Sequence, residues 1–209
     1  LPVAFEANDA TVIRTTPSVD QSGQRETVLL VPPHTRATMR MPNGSKQPLS
    51  TGSIRITEYT VGPRGPAAMP GNLPPSSGYT YASEFSVDEA KEAGATGVEF
   101  DPPLAVYVDN FLHFPVGTVV PNGSYDPARD LWEPSSSERV LRILSAASGS
   151  ATIDANGDDA PETPAQLAEL GISAEELRAL GKTFAAGKTL WRAPLAHFSA
   201  WDLNWPFGP

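Results

Sequence analysis

The sequence predicts a mainly β chain, an antiparallel β-sandwich carrying a short helical insertion near residues 163–186. Three observations support this. The 209 residues include 22 prolines and 17 glycines, spread over the whole length. The runs between them are short, rich in β-branched and aromatic residues, and recur with turn signals, as in a sandwich. In the clearest run, Ile54, Ile56 and Val61 stand against Arg55 and Glu58, which gives that strand one wet face.

Taken in order, strands are expected over 11–14, 26–31, 53–61, 79–85, 97–100, 104–108, 116–120, 139–144, 151–153 and at Leu190-Trp191. Ser86-Val-Asp-Glu89 reads as a capping box, with Gly94 as the stop of a short helix. The proline-rich stretch from Val61 to Ser77 reads as a long loop inside one domain, because the strands on either side look alike. Thr163-Pro164 pairs a cap with proline at the first helical position. Ser173-Ala-Glu-Glu176 opens a second helix through about Leu180, ended by Gly181. Residues 199–207 read as a final strand, since Trp201, Leu203, Trp205 and Phe207 alternate with Asp202 and Asn204. Residues 1–209 are expected to form a single domain.

Composition narrows the function. The formal charge is −9, from 15 Lys+Arg against 24 Asp+Glu, and no basic run exists to neutralise phosphate, so a nucleic-acid partner is not expected. There is no cysteine, hence no disulfide framework and no cysteine metal site. No apolar stretch approaches 18 residues, so no membrane span is expected. The first residue is Leu1 and no signal peptide is visible, so the chain is expected to be a fragment or a processed product.

The residues richest in chemistry are His197-Phe198-Ser199. A serine following a large apolar residue, with a histidine just before, is minimum equipment for an N→O acyl shift. The hydroxyl attacks the preceding carbonyl and the imidazole takes its proton. Ser199 and His197 share the parity of the aromatic face. An unbroken strand would point both inward, about 6.7 Å apart at Cα on the usual rise. The bland reading is a histidine and a serine at a strand start. His113-Phe114 is an internal control: Pro115 follows it and brings no nucleophile, so that copy is expected to be structural. Amide resonance resists attack, so the fold must also hold the bond strained and supply an oxyanion donor. The expected activity is a single turnover on the chain's own backbone, with none on an external substrate. The partner is the chain's own C-terminal strand, retained after cleavage. The competing expectation is a non-catalytic structural module.

Asp154, Asn156, Asp158 and Glu162 form a second candidate site, a calcium loop. Oxygens at positions 1, 3 and 5 match. Position 6 is Asp159 where glycine belongs, and position 12 is Ala165 where a glutamate belongs, with Glu162 at position 9 as a substitute. An acidic turn before a helix explains the same residues. No cofactor is required by either reading of the tripeptide. The three scattered histidines make no zinc spacing. His34 reads as turn dressing after Pro32-Pro33, and Tyr79, Tyr81, Tyr107 and Phe111 as core or sheet face.

Two resemblances extend this reading. Ile56-Thr-Glu-Tyr-Thr-Val-Gly62, Ala68-Met-Pro-Gly71, Leu73-Pro-Pro75, Gly78-Tyr-Thr-Tyr81, Tyr107-Val-Asp-Asn-Phe-Leu112, Phe114-Pro-Val-Gly117 and His197-Phe-Ser199 with Trp205-Pro resemble a region upstream of the repeat shell in large bacterial Rhs/YD-repeat proteins. That resemblance implies an extracellular or cell-surface parent, whose remainder is a partner, with this domain upstream of the shell; the competing non-catalytic module would cap or tether that shell. The tripeptide before an aromatic strand is similar to the cleavage site of self-cutting β-sandwich domains of the PIDD and netrin-receptor type, and to GAIN domains. By that similarity His197 is the base, Phe198 the acyl donor and Ser199 the nucleophile, and the fragments stay together.

Overall fold

The computed structural model describes residues 2–59, 65–71, 80–127, 129–134 and 138–203. In chain order the strands begin with β1 (Pro2–Ala4), β2 (Thr11–Arg14), β3 (Ser18–Asp20), β4 (Gly23–Arg25), β5 (Thr27–Val31), β6 (Arg36–Arg40), β7 (Lys46–Leu49) and β8 (Thr51–Glu58). Next come β9 (Ala82–Val87), helix α1 (Asp88–Glu92) and the long strand β10 (Gly97–Asp109). They are followed by β11 (Val119–Val120), β12 (Gly123–Asp126), β13 (Leu131–Pro134), β14 (Glu138–Ser145) and β15 (Thr152–Asp154). Helices α2 (Pro164–Glu169) and α3 (Ala174–Thr183) form the insertion, and β16 (Thr189–Phe198) and β17 (Ala200–Asp202) close the chain.

Two antiparallel sheets pack face to face as a sandwich. One runs β1-β8-β9-β17-β12-β13; the other runs β11-β14-β16-β10-β5-β2, with β15 beside β14 and the β6–β7 hairpin beside β10. Strand β5 and the 104–108 part of β10 are continuous buried apolar runs because both faces of their sheet are covered. Leu104, Val106, Ala193 and Leu195 meet Phe85, Val87 and Ile54 from the opposite sheet. Their neighbours Ala105, Tyr107 and Leu190 meet Ile172, Ala179, Leu180 and Phe184 of the insertion. Polar ties cross between the layers. Tyr81, on the segment entering β9, shares a 2.5 Å hydrogen bond with Thr27 of β5, and the Ser83 hydroxyl donates to the same phenol at 2.7 Å. Burial pushes the Tyr81 phenol up to about 12.

Several expectations are corrected. The runs 97–100 and 104–108 are one strand, bent where the pairing of β10 with β16 shifts register between Glu99 and Leu104, around Pro102-Pro103. A proline has no N–H to give a ladder, so an irregularity is where it fits. Ser86 does not cap α1. It stays in β9 opposite Arg55, Val87 takes the cap position without a side-chain bond, and Glu89 accepts from Ser53 N–H and hydroxyl at 2.6 and 2.9 Å instead. Gly94, at φ +72°, does end the helix. Helix α3 runs past Gly181 to Thr183. A Cβ at Gly181 would lie 2.7 Å from the Ser150 carbonyl carbon, so this glycine serves close packing rather than termination. The Thr163 box is formed as expected: the hydroxyl accepts from Gln166 N–H, and Gln166 Oε1 accepts from Thr163 N–H at 2.8 Å. The final strand is described only as far as Asp202, and the expected residues 204–207 lie outside the described chain, as do most of the 61–77 loop and Tyr79.

Candidate functional site

His197-Phe198-Ser199 lies where the chain passes from one sheet to the other. Strand β16 is central in its sheet, between β14 and β10, and its last pairs are His197 with Glu99 and Phe198 with Val98. Ser199 is a bend. One residue later β17 runs between β9 and β12 of the opposite sheet, with Ala200 facing Glu84 and Trp201 facing Ser83. The Ser199 carbonyl accepts from Phe85 N–H at 3.0 Å. The two atoms of the Phe198–Ser199 bond therefore belong to residues anchored in different layers.

The anchoring is aromatic on both sides. Phe198 is 6 % exposed, with its ring 4.6 Å from Phe100 and 5.7 Å from Phe85 between centroids. On the far side Trp201 and Leu203 are buried. This corrects the strand parity. In β16 Trp191, Ala193 and Leu195 face the opposite sheet, yet Phe198, not His197, is the next residue in that core. The register shift at β10 and the bend at Ser199 break the alternation. His197 and Ser199 are half-buried and line a cavity of about 750 Å³ instead, together with Glu99, Arg40, Glu84 and Tyr125.

In that cavity the imidazole of His197 stacks on Trp201, centroids 5.0 Å apart and planes at 35°. Burial lowers its pKa below the ordinary histidine value; a contact with the Phe198 backbone and the Glu99 carboxylate pull it up, and Arg40 pushes it down. The net direction keeps it neutral at pH 7, the form that accepts a proton. The Ser199 hydroxyl donates to the Ala200 carbonyl at 3.2 Å rather than to the imidazole. A turn about the serine Cα–Cβ bond must release it before it can attack.

Other charged groups ring the cavity from several strands. Glu99 accepts from Lys46 Nζ at 2.6 Å, with Arg40 Nε at 3.5 Å. Glu84 accepts from Tyr59 hydroxyl at 2.8 Å and Lys91 Nζ at 2.9 Å. Sequence reasoning did not find Glu99, Arg40 or Glu84. Nothing local marks them, since the β10–β16 register and the sheet crossing bring them to the tripeptide from about 100 residues away or more in the chain.

The acidic loop is a different kind of structure. Asp154 is fully buried, and its carboxylate accepts from the N–H groups of Asn156, Gly157 and Asp159 at 3.2, 2.7 and 3.1 Å. Arg142 reaches it as well, and also pairs with Asp159. Asp158 accepts from Ala160 N–H at 2.9 Å and from the Asn156 amide at 3.1 Å, and Glu162 accepts from Ala155 N–H at 2.8 Å. The oxygens expected for calcium accept from the loop's own backbone and from an arginine. Among the described residues no group of three or more His, Cys, Asp or Glu side chains is placed to hold a metal.

His34 and His113 both sit in turns at positive φ, +57° and +56°. Phe114 beside His113 packs on Trp191, as a structural copy of the dipeptide would. Tyr81, Tyr107 and Phe111 are core residues.

Compared with family models, with curated proteins and with solved structures, the chain finds no match. Fold and site define it by class: an antiparallel β-sandwich with a histidine–phenylalanine–serine tripeptide at the crossing between its sheets.

Proposed function

We propose that this sandwich cuts its own backbone once, between Phe198 and Ser199. The Ser199 Oγ bonds to the Phe198 carbonyl carbon while His197 takes the hydroxyl proton. The C–N bond breaks, and the proton passes to the departing Ser199 nitrogen. Water then hydrolyses the ester, leaving a carboxylate on Phe198 and restoring the serine hydroxyl. The observation that carries the reading is the placement of this bond between two independently anchored layers, with a neutral imidazole beside it. Anchoring on both sides limits how far the two residues can move apart, which keeps the hydroxyl near the carbonyl it must reach.

The cut leaves the molecule assembled, because β17 lies between β9 and β12 and its tryptophan is buried. The domain belongs to a larger extracellular or surface protein of the Rhs/YD-repeat kind, an assignment supported by the motifs between Ile56 and Gly117. A second reading is a passive module capping or tethering the repeat shell, favoured by the engagement of the Ser199 hydroxyl with Ala200 rather than with His197. Ser199→Ala separates them. On denaturing electrophoresis and mass spectrometry it abolishes the 1–198 fragment while the melting temperature is unchanged. Identical fragments from the Ser199→Ala chain contradict the acyl shift.

A further inference from the structure

Resting on that reading, we propose that Glu99 is the positioning residue for His197, with Lys46 and Arg40 fixing its carboxylate across the β10–β16 ladder. Glu99 and His197 are direct partners in that ladder. Residues directly opposite on an antiparallel pair project to the same face with Cβ atoms about 5 Å apart. Both side chains line the cavity beside Phe198 and Ser199. The carboxylate is held from outside by Lys46 Nζ at 2.6 Å and Arg40 Nε at 3.5 Å, so its position is set by β6 and β7 and not by the imidazole. The electrostatic attraction is mutual: Glu99 raises the His197 pKa, and His197 helps to lower that of Glu99.

The chemistry follows from the charge that develops. When the imidazole takes the serine proton it becomes a cation in a half-buried place, and a carboxylate on its own face of the sheet stabilises it. The other charged or titratable groups around the cavity are Arg40 from β6, Tyr59 just after β8, Glu84 from β9, Tyr125 and Asp126 from β12, and Glu133 from β13. Glu84 is drawn off by Lys91 and Tyr59, and Glu133 by Arg129. Glu99 alone among them sits opposite His197 in the strand register.

The test uses two substitutions with opposite signs, each made in the wild-type chain and in the Ser199→Ala chain. The His197 imidazole is titrated by NMR in the uncut Ser199→Ala background, with His34 and His113 as internal references. Glu99→Gln removes the attraction, so His197 titrates lower. Arg40→Met removes the cation that opposes protonation of His197 while Lys46 still holds the Glu99 carboxylate, so His197 titrates higher. In the otherwise wild-type chain Glu99→Gln slows scission on the order of tenfold, and the midpoint of its pH profile moves with the imidazole. A structural role for Glu99 alone would move neither midpoint. An unmoved His197 titration in both variants overturns the assignment of Glu99. A wild-type chain that never cuts overturns the cleavage reading itself, whatever the titrations give.

Discussion

In the proposed reaction the burial of His197 bears on both stability and chemistry. Its lowered pKa leaves it neutral in the folded chain at pH 7, while in the unfolded chain it titrates near 6.5. As pH falls below 6.5 the unfolded state binds the proton first, so stability and base strength are both lost through the folded pKa and both are full above 6.5. Scission rate is therefore expected to rise with pH to a plateau reached by neutral pH, followed by quantifying the 1–198 fragment over time. A rate that keeps rising between pH 7 and 9 points to a different base. Gly181 makes a second single-residue claim. Its Cβ would meet the Ser150–Ala151 backbone at 2.7 and 2.8 Å, which is not a flexible partner. Gly181→Ala is expected to destabilise by about 1–3 kcal/mol in urea unfolding despite the better helix propensity of alanine. At this scale the tripeptide was legible because its three residues are adjacent. Glu99 was not, because its role is conferred by strand register. The acidic loop stays ambiguous in sequence because Asx-turn loops and cation loops use the same residues.

The elements hold together through a few long-range ties that no local pattern announces. Helix α3 is fastened to β16 by a buried pair. Arg192 Nε and Nη2 donate to Glu176 at 2.7 and 3.0 Å, and the same guanidinium caps the carbonyls of Leu170 and Gly171 at 3.0 and 3.3 Å. The Tyr107 hydroxyl also donates to Glu176, and burial raises its pKa well above the usual phenol value. Breaking such a pair on one side leaves a buried charge without its partner. Glu176→Gln is expected to cost about 3 kcal/mol, whereas Thr163→Ala at the α2 cap costs about 1 kcal/mol. Equal losses for the two in denaturant titration would contradict the picture of α3 as the anchored helix.

Strongly apolar strands and capped helices were visible in the sequence because propensity and burial agree there. Strands β6, β7, β12 and β13 were not. Arg36-Ala-Thr-Met-Arg40 has too few apolar residues, Pro48 interrupts β7 at a sheet edge, and Gly-Ser-Tyr-Asp126 reads as a turn until β17 lies beside it. Helix α1 lost its expected cap because the strand claimed Ser86 first.

Across the whole molecule the arrangement is a sandwich whose last crossing strand joins its two sheets. Strand β16 is central in one sheet and β17 central in the other. A cut at the crossing removes one covalent link but leaves every ladder and both aromatic anchors in place. Losing the C-terminal piece means pulling out a strand paired on both edges and exposing Trp201 and Leu203. A cut and an uncut molecule are thus expected to share one size and one spectrum under native conditions. The decisive measurement is an intact mass taken under denaturing conditions on freshly folded chain and again after long incubation. Two species, residues 1–198 and 199–209, summing to the full chain plus one water, are the expected result. A single undivided mass at every time, with Phe198 and Ser199 still joined, contradicts self-cleavage.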